Sequence, residues 1–259
     1  MNNLLAALII AVVQGITEWI PVSSTGHLIL AEKILGYNGG LTFDVALHFG
    51  TLMAVFVYFG RDIVDILEEV MKLRFKSENG KLGLLLIVAS IPAAIIGFLF
   101  LDFFEAVFDN LWVVSLGFGI TGVLLLIASL DFGNSTKRKD LNYKNSFLIG
   151  IAQAVSILPG ISRSGATISS GVLLGLDIEK AMKFSFLMSI PIIFGANILI
   201  IGNNRISPEL FGATLVAFVV GLITIHLIYR YVLTSRKNLR WFGLYALLLA
   251  LAVGLALIL

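Results

Sequence analysis

Six uninterrupted apolar runs, each long enough to cross a bilayer, constrain this chain more than any other feature of its sequence. They cover approximately residues 41–59, 82–101, 112–130, 184–202, 210–229 and 241–259. A membrane-spanning helix takes roughly 17–25 residues, so each run suffices. Two further apolar regions, 4–35 and 147–176, are interrupted in the middle. The first breaks at Pro21-Val22-Ser23-Ser24-Thr25-Gly26, the second at Pro159-Gly160-Ile161-Ser162-Arg163-Ser164-Gly165. Each leaves two arms too short to span, which reads as a helical hairpin that dips into the membrane and returns. Irregular backbone at that depth is tolerated only where protein or a water-filled cavity surrounds it. Only 13% of the residues are charged, against about a quarter in a soluble domain, which excludes a water-soluble core. The first apolar run, from Leu4 to Val13, lacks a basic start and a small-residue cleavage pattern, so no cleavable signal peptide is expected. With no cysteine, disulfides and thiolate metal sites are excluded.

The two broken regions match each other at a constant offset of 139 residues. Gln14 pairs with Gln153, Thr17 with Ser156, Ser23 with Ser162, Thr25 with Ser164 and Gly26 with Gly165. Three apolar runs follow each break. Because three is odd, a duplicated unit would start its second copy from the opposite side. The expectation is one integral membrane domain over 1–259, with repeat one at about 1–130 and repeat two at about 140–259. Its fold class is an all-α polytopic membrane protein, with six transmembrane helices plus two re-entrant helical hairpins in an inverted-topology repeat.

Lysine and arginine in short loops set the orientation. Arg61, Lys72, Arg74, Lys76 and Lys81 follow the first run, and Lys137, Arg138, Lys139 and Lys144 lie between the halves. Lys180 and Lys183 follow the second break, while Arg230, Arg236, Lys237 and Arg240 precede the last run. All fifteen are placed on the cytoplasmic side. The outer side keeps Lys33, Arg205 and an acidic loop with Asp102, Glu105 and Asp109. The expected location is the cell membrane, multi-pass, with both termini and the active site facing outward. The basic residues are scattered through short loops, so no nucleic-acid partner is expected.

Glu18 and Arg163 fall inside the broken regions, and ionisable groups at such depth usually mark function. A structural ion pair pinning the hairpins is the plainer reading of the same two residues. The surrounding residues suit an anion. Ser23, Thr25 and Gly26 in one break, and Ser162, Ser164, Gly165 and Thr167 in the other, precede or open helices whose free N–H groups favour phosphate. Helix capping accounts for Ser and Thr there as well. Arg163 adds a planar fork of donors. His27 can move a proton near neutral pH, and Ser24 offers a hydroxyl within reach. His48, four residues after Asp44, reads as an interhelical hydrogen-bonding group. His226 reads as interfacial, and Trp19, Trp112 and Trp241 as members of an aromatic belt. Pro92 and Pro191 read as helix kinks.

At these residues the sequence resembles the undecaprenyl-pyrophosphate phosphatase family, also called the bacitracin-resistance protein family. QGITEWIPVSSTGHLIL, residues 14–30, fits its (Glu/Gln)-x-x-x-Glu pattern followed by Pro-x-Ser-Ser-Thr-Gly-His. LPGISRSGAT, residues 158–167, fits its Pro-Gly-x-Ser-Arg-Ser-Gly-x-Thr pattern. The resemblance implies hydrolysis of undecaprenyl diphosphate to undecaprenyl phosphate and inorganic phosphate, recycling the carrier lipid of cell-wall and surface polysaccharide synthesis. It implies a polyprenyl pyrophosphate lipid as substrate and a divalent cation, Mg2+ or Ca2+, as cofactor, and leaves room for a homodimer. Carried over by motif, the key residues are Glu18, Ser24, His27 and Arg163, with Glu18 and Gln14 as metal ligands. Ser24 attacking phosphorus with His27 as base, and His27 activating water directly, both remain open. A transporter or lipid flippase is the rival class, since broken helices in inverted repeats are transporter architecture.

Overall fold

The computed structural model describes residues 3–130, 140–201 and 208–259, and among them every regular element is helical. Lys137, Arg138, Lys139 and Arg205 lie outside the described residues. Helices α1 (Asn3–Thr17) and α2 (Ser24–Leu35) flank the first break, and α8 (Tyr143–Val155) and α9 (Arg163–Leu173) flank the second. The six long apolar helices are α3 (Gly40–Tyr58), α5 (Glu78–Leu99), α7 (Leu111–Ser129), α10 (Ile178–Ile201), α11 (Pro208–Leu227) and α12 (Leu239–Ile258). Each overlaps one apolar run of the sequence. Polar residues set several of their starts. The Ser77 hydroxyl accepts from the Gly80 amide at 3.1 Å, and the Asn110 side chain from the Trp112 amide at 2.9 Å. Such caps satisfy the first-turn N–H groups that a helix leaves unpaired.

Two short helices stand where the sequence reading saw loops. Helix α4 (Gly60–Met71) turns Ile63 and Ile66 into the core and carries Asp62, Asp65, Glu68 and Glu69 as well. Its apolar residues recur at helical spacing, too few to register as a span. Helix α6 (Leu101–Val107) occupies the acidic loop. A π-helical turn, Ile228–Val232, extends α11. Pro92 and Pro191 both lie inside continuous helices.

Helix α3 packs against α10 and α11, α7 against α12, α1 against α11, and α5 against α8, while α9 sits among α7, α8 and α10. Small residues permit the close approaches, as Ala213 and Ala217 of α11 do with no exposed surface. Large apolar side chains such as Phe98, Leu116, Leu248 and Leu251 point outward. That surface is stable only with lipid as its solvent.

Trp19 corrects an expectation. It is fully buried rather than in an aromatic belt, with its ring edge-on to Phe186 at 5.1 Å. It directly follows Glu18, so the break carries it into the interior. Trp112 and Trp241 are exposed.

Four lysines gather around one cavity. Lys183 pairs with Asp62 at 2.7 Å and Lys180 with Asp140 at 3.0 Å. Lys76, Lys81, Lys180 and Lys183 line a cavity of about 920 Å³, which none of the expected site residues border. Elsewhere Glu32, near the end of α2, accepts the Gly39 amide at 3.3 Å. Burial pushes its carboxyl up from the usual range, the Gly39 bond opposes, and Asp109 adds to the rise.

Candidate active site

The first break begins where α1 stops at Thr17, with Pro21 following four residues on. Proline has no N–H to continue a helix. Ser23 then takes φ +71°, a left-handed conformation that costs a non-glycine residue about 1–3 kcal/mol and clusters at functional sites. Its hydroxyl caps α2 by accepting the Gly26 amide at 3.4 Å. In the second break Gly160 adopts φ +87°, and a Cβ there would meet the Val114 carbonyl oxygen at 2.2 Å. Only glycine lets the chain lie so close to α7. Thr121 of α7 clamps it, donating to the Gly160 carbonyl at 3.1 Å and accepting the Ser162 amide at 2.9 Å. The breaks also touch each other: a Cβ on Gly26 would reach Phe118 at 2.5 Å and the Gly160 Cα at 3.2 Å.

Glu18 is the hub. Its Oε1 accepts from the Arg163 guanidinium. Its Oε2 accepts from the Ser24 hydroxyl at 2.6 Å and from the Gln14 amide at 3.0 Å, and His48 Nε2 lies 3.5 Å away. Glu18 is 5% exposed, so ionisation there requires such partners. Gln14, Glu18, Ser24 and Arg163, expected from sequence, therefore meet. His48 joins them from α3: its Nδ1 bonds the Asp44 carbonyl in its own helix at 2.8 Å, while its Nε2 faces Glu18 of the first break.

Arg163 opens α9, which Ser162 caps by accepting the Gly165 amide at 2.9 Å. Its guanidinium carbon lies 5.6 Å from the Trp19 ring centroid, and its Nη1 is buried with no partner. Buried donors are nearly always satisfied. An unpaired Arg nitrogen beside the first-turn amides of a helix is a waiting anion contact.

His27 stands one step aside. Its Nδ1 lies 2.7 Å from the Ser23 carbonyl, which can only accept, so Nδ1 carries the proton. Its Nε2 then receives the Tyr245 hydroxyl at 2.7 Å, with the two rings stacked at 5.7 Å. The sequence reading joined His27 to Ser24; instead Ser24 donates to Glu18 and His27 accepts from Tyr245. Thr25 is half-buried in the first turn of α2. The Ser164 hydroxyl is 3.3 Å from the Ile20 carbonyl and 3.3 Å from Ser162 Oγ. The Thr167 hydroxyl, expected at the anion site, instead meets Ser185 of α10 at 2.6 Å and the Arg163 carbonyl at 2.8 Å. One helical turn beyond Arg163, it faces the α10 packing seam.

Tyr245 carries no signal in the sequence, being one hydroxyl in an apolar run. His48 carried one: an ionisable group in mid-span.

A divalent cation would find few protein ligands here. Among the described residues no three His, Cys, Asp or Glu side chains gather to hold one. Gln14, however, is fully buried beside Glu18 and its Oε1 has no partner. Magnesium is commonly held by one or two carboxylates plus waters and substrate phosphates. The donor set fits an ion shared with phosphate oxygens.

A family model described as bacitracin resistance protein BacA matches residues 7–252. A protein of Rubrobacter xylanophilus named undecaprenyl-diphosphatase is 41% identical, with 100% of each chain covered. Proteins of the same name from Methanococcus vannielii and Thermosipho melanesiensis are each 38% identical. The alignment covers 98% of each chain in the first case, and 94% of this chain and 96% of the relative in the second.

Proposed function

The chain belongs to the bacitracin resistance protein BacA family, and from that membership we infer that it is an undecaprenyl-diphosphatase. It hydrolyses undecaprenyl diphosphate to undecaprenyl phosphate and inorganic phosphate, and so recycles the carrier lipid. The observation that carries this reading onto its residues is the buried Glu18 carboxylate, which holds the Ser24 hydroxyl at 2.6 Å and the Arg163 guanidinium on its other oxygen.

Arg163 takes the diphosphate through Nη1, its unpaired donor, helped by the first-turn amides of α9. As Arg163 turns toward phosphate, Glu18 gains basicity against Ser24. Ser24 Oγ attacks the terminal phosphorus and passes its proton to Glu18. The bond to the bridging oxygen breaks and undecaprenyl phosphate leaves. Water then attacks the phosphoserine, His27 Nε2, freed from Tyr245, accepts the water proton, and Glu18 returns its proton to Ser24 Oγ as the P–O bond breaks and inorganic phosphate leaves. A divalent cation, Mg2+ or Ca2+, held by Glu18 and Gln14, would neutralise the diphosphate. Most of the rate gain comes from positioning and charge stabilisation.

The two helix–break–helix units are re-entrant hairpins, and the chain is one domain made of an inverted repeat. This is supported by the 139-residue offset and by equivalent packing: α1 lies on α11, and α8, its counterpart, lies on α5, the counterpart of α11. The lysine-bearing end is cytoplasmic by the positive-inside rule, and the site opens outward. Phosphate release from a prenyl diphosphate by the purified protein in detergent, with and without chelator, tests the reading. No release in excess metal would refute it.

A further inference from the structure

We propose that α4 is an interfacial helix: it lies in the headgroup layer with its axis in the membrane plane and sinks Val64, Leu67 and Met71 into the hydrocarbon of the adjacent leaflet. The helix has three faces rather than two. Ile63, Ile66 and Val70 share the first, at helical spacing, and are packed into the core. They seat on α5, where a Cβ on Gly83 would meet the Val70 side chain at 2.5 Å and that of Ile66 at 3.1 Å. Val64, Leu67 and Met71 repeat the same spacing one residue on, and are 60%, 54% and 76% exposed. Arg61, Asp65, Glu68 and Lys72 form the third face, also exposed. Each face is a stripe along the helix axis. An upright helix would carry the charged stripe into hydrocarbon, where ionised side chains are expensive. Only with the axis in the plane do the three stripes meet protein, hydrocarbon and water separately.

The depth is fixed independently. Helix α3 ends at Tyr58, and α4 begins at Gly60. The Tyr58 ring stands edge-on to His226 at 6.1 Å and to Tyr229 at 6.0 Å, and His226 stands edge-on to Tyr231, an exposed residue. Tyrosines gathered at the ends of spans mark the headgroup level, so α4 starts at that level. Val57, in the last turn of α3, is exposed, so the apolar surface of that span reaches the junction. At the far end Leu73 takes φ +54°, a left-handed conformation in which glycine is usual, and its side chain is exposed as well. Contact with hydrocarbon is what a leucine contributes there and a glycine cannot. Headgroup charge is not the attraction. Residues 60–76 carry four acidic and four basic side chains. Glu68 pairs with Lys72, Glu69 with Arg74 at 3.3 Å and Asp62 with Lys183 at 2.7 Å. The occupant of the exposed apolar stripe is therefore acyl chain, whatever headgroup lies above it.

The test uses the full chain, whose lack of cysteine lets a single nitroxide be placed at will. Labels are attached one at a time to Leu67→Cys, Met71→Cys and Asp65→Cys, in bilayers of phosphatidylcholine with and without phosphatidylglycerol. Collisions with oxygen, which concentrates in hydrocarbon, and with a water-soluble nickel chelate give the depth of each label. Labels at Leu67 and Met71 should favour oxygen and read about 5–10 Å inside the headgroup boundary. The label at Asp65 should favour nickel, and phosphatidylglycerol should move none of them. A variant that does not elute as a folded species is replaced by Leu73→Cys, which lies beyond the helix and should also favour oxygen. Nickel-favouring labels at Leu67 and Met71 would put the stripe in water, open to a soluble partner, and overturn the assignment. Labels shielded from both reagents, with spectral broadening that vanishes on dilution with unlabelled protein, would give the stripe to a second copy and overturn it equally. Insertion that appears only with phosphatidylglycerol would replace acyl contact by charge attraction as the cause. None of these readings depends on hydrolysis, so the phosphatase reading stands or falls separately.

Discussion

Three residues, two of them in the site, make separable predictions. Among the described residues Arg163 is the one guanidinium on Glu18, and its Nη1 has no partner. Arg163→Ala should remove a charged phosphate contact worth about 2–5 kcal/mol. Turnover should fall to background while the protein still elutes as a folded species, and Arg163→Lys should rescue poorly because an ammonium lacks the fork. Near-normal phosphate release from Arg163→Ala would remove it from the site. Ser24 decides the chemistry. In the covalent route Ser24→Ala loses nearly all activity. If the hydroxyl only donates to Glu18, the loss is about 1–3 kcal/mol, roughly ten- to a hundredfold. A rapid quench with labelled terminal phosphate should trap a phosphopeptide containing Ser24, and a Ser24→Ala enzyme keeping about a tenth of turnover would exclude it. Glu32 tests electrostatics away from the chemistry. Its carboxyl is pushed up by burial, so the fold binds its proton more tightly than the unfolded chain. The resulting stability is fully present below the unfolded pKa and is lost as pH rises through the folded one. Glu32→Gln should therefore match the unaltered protein in acid and gain thermal stability over it as pH rises. A constant difference across pH would contradict this.

Among the elements, the breaks are where backbone decides. Gly160→Ala must hold an L-residue at φ +87° against the Val114 carbonyl, at a cost of about 1–3 kcal/mol from the backbone conformation alone. The measured outcome should be a lowered melting temperature in detergent together with lost turnover, since Gly160 carries the chain into Ser162 and Arg163. Both breaks were legible in the sequence because prolines, glycines and hydroxyl residues interrupt runs that hydropathy would otherwise continue. The meeting of Glu18, Ser24 and Arg163 was legible for the same reason. What stayed hidden was the partner of each group. Ser24 and His27 share a turn of α2, and that nearness suggested a nucleophile and its base. The Ser23 carbonyl, held at φ +71°, turns the imidazole away toward Tyr245. A partner 218 residues distant leaves no local trace. Helix α4 was hidden because charge outweighs its short apolar face.

For the molecule as a whole, the proposed orientation can be read with single cysteines, since the chain has none. A cysteine at the exposed Ala106 of α6 should react with an impermeant thiol reagent added to intact cells. One at the exposed Lys76 should stay unlabelled until the cells are opened. The reverse pattern would invert the protein and move lipid recycling to the wrong face. The pairing of Glu18 with Arg163 also has a consequence in time. The two residues are 145 positions apart, and a ribosome adding about 5–20 residues per second needs roughly 7–30 s to cover that interval. Until then a carboxylate that has already left the ribosome lacks the guanidinium that pairs with its Oε1, and holding an acidic group at the centre of a bilayer costs about 2.5–3.5 kcal/mol. The first half of the chain must therefore wait during synthesis, either with Glu18 protonated or beside the insertion machinery. A nascent chain arrested before Arg163 emerges should be degraded faster than one arrested just after it.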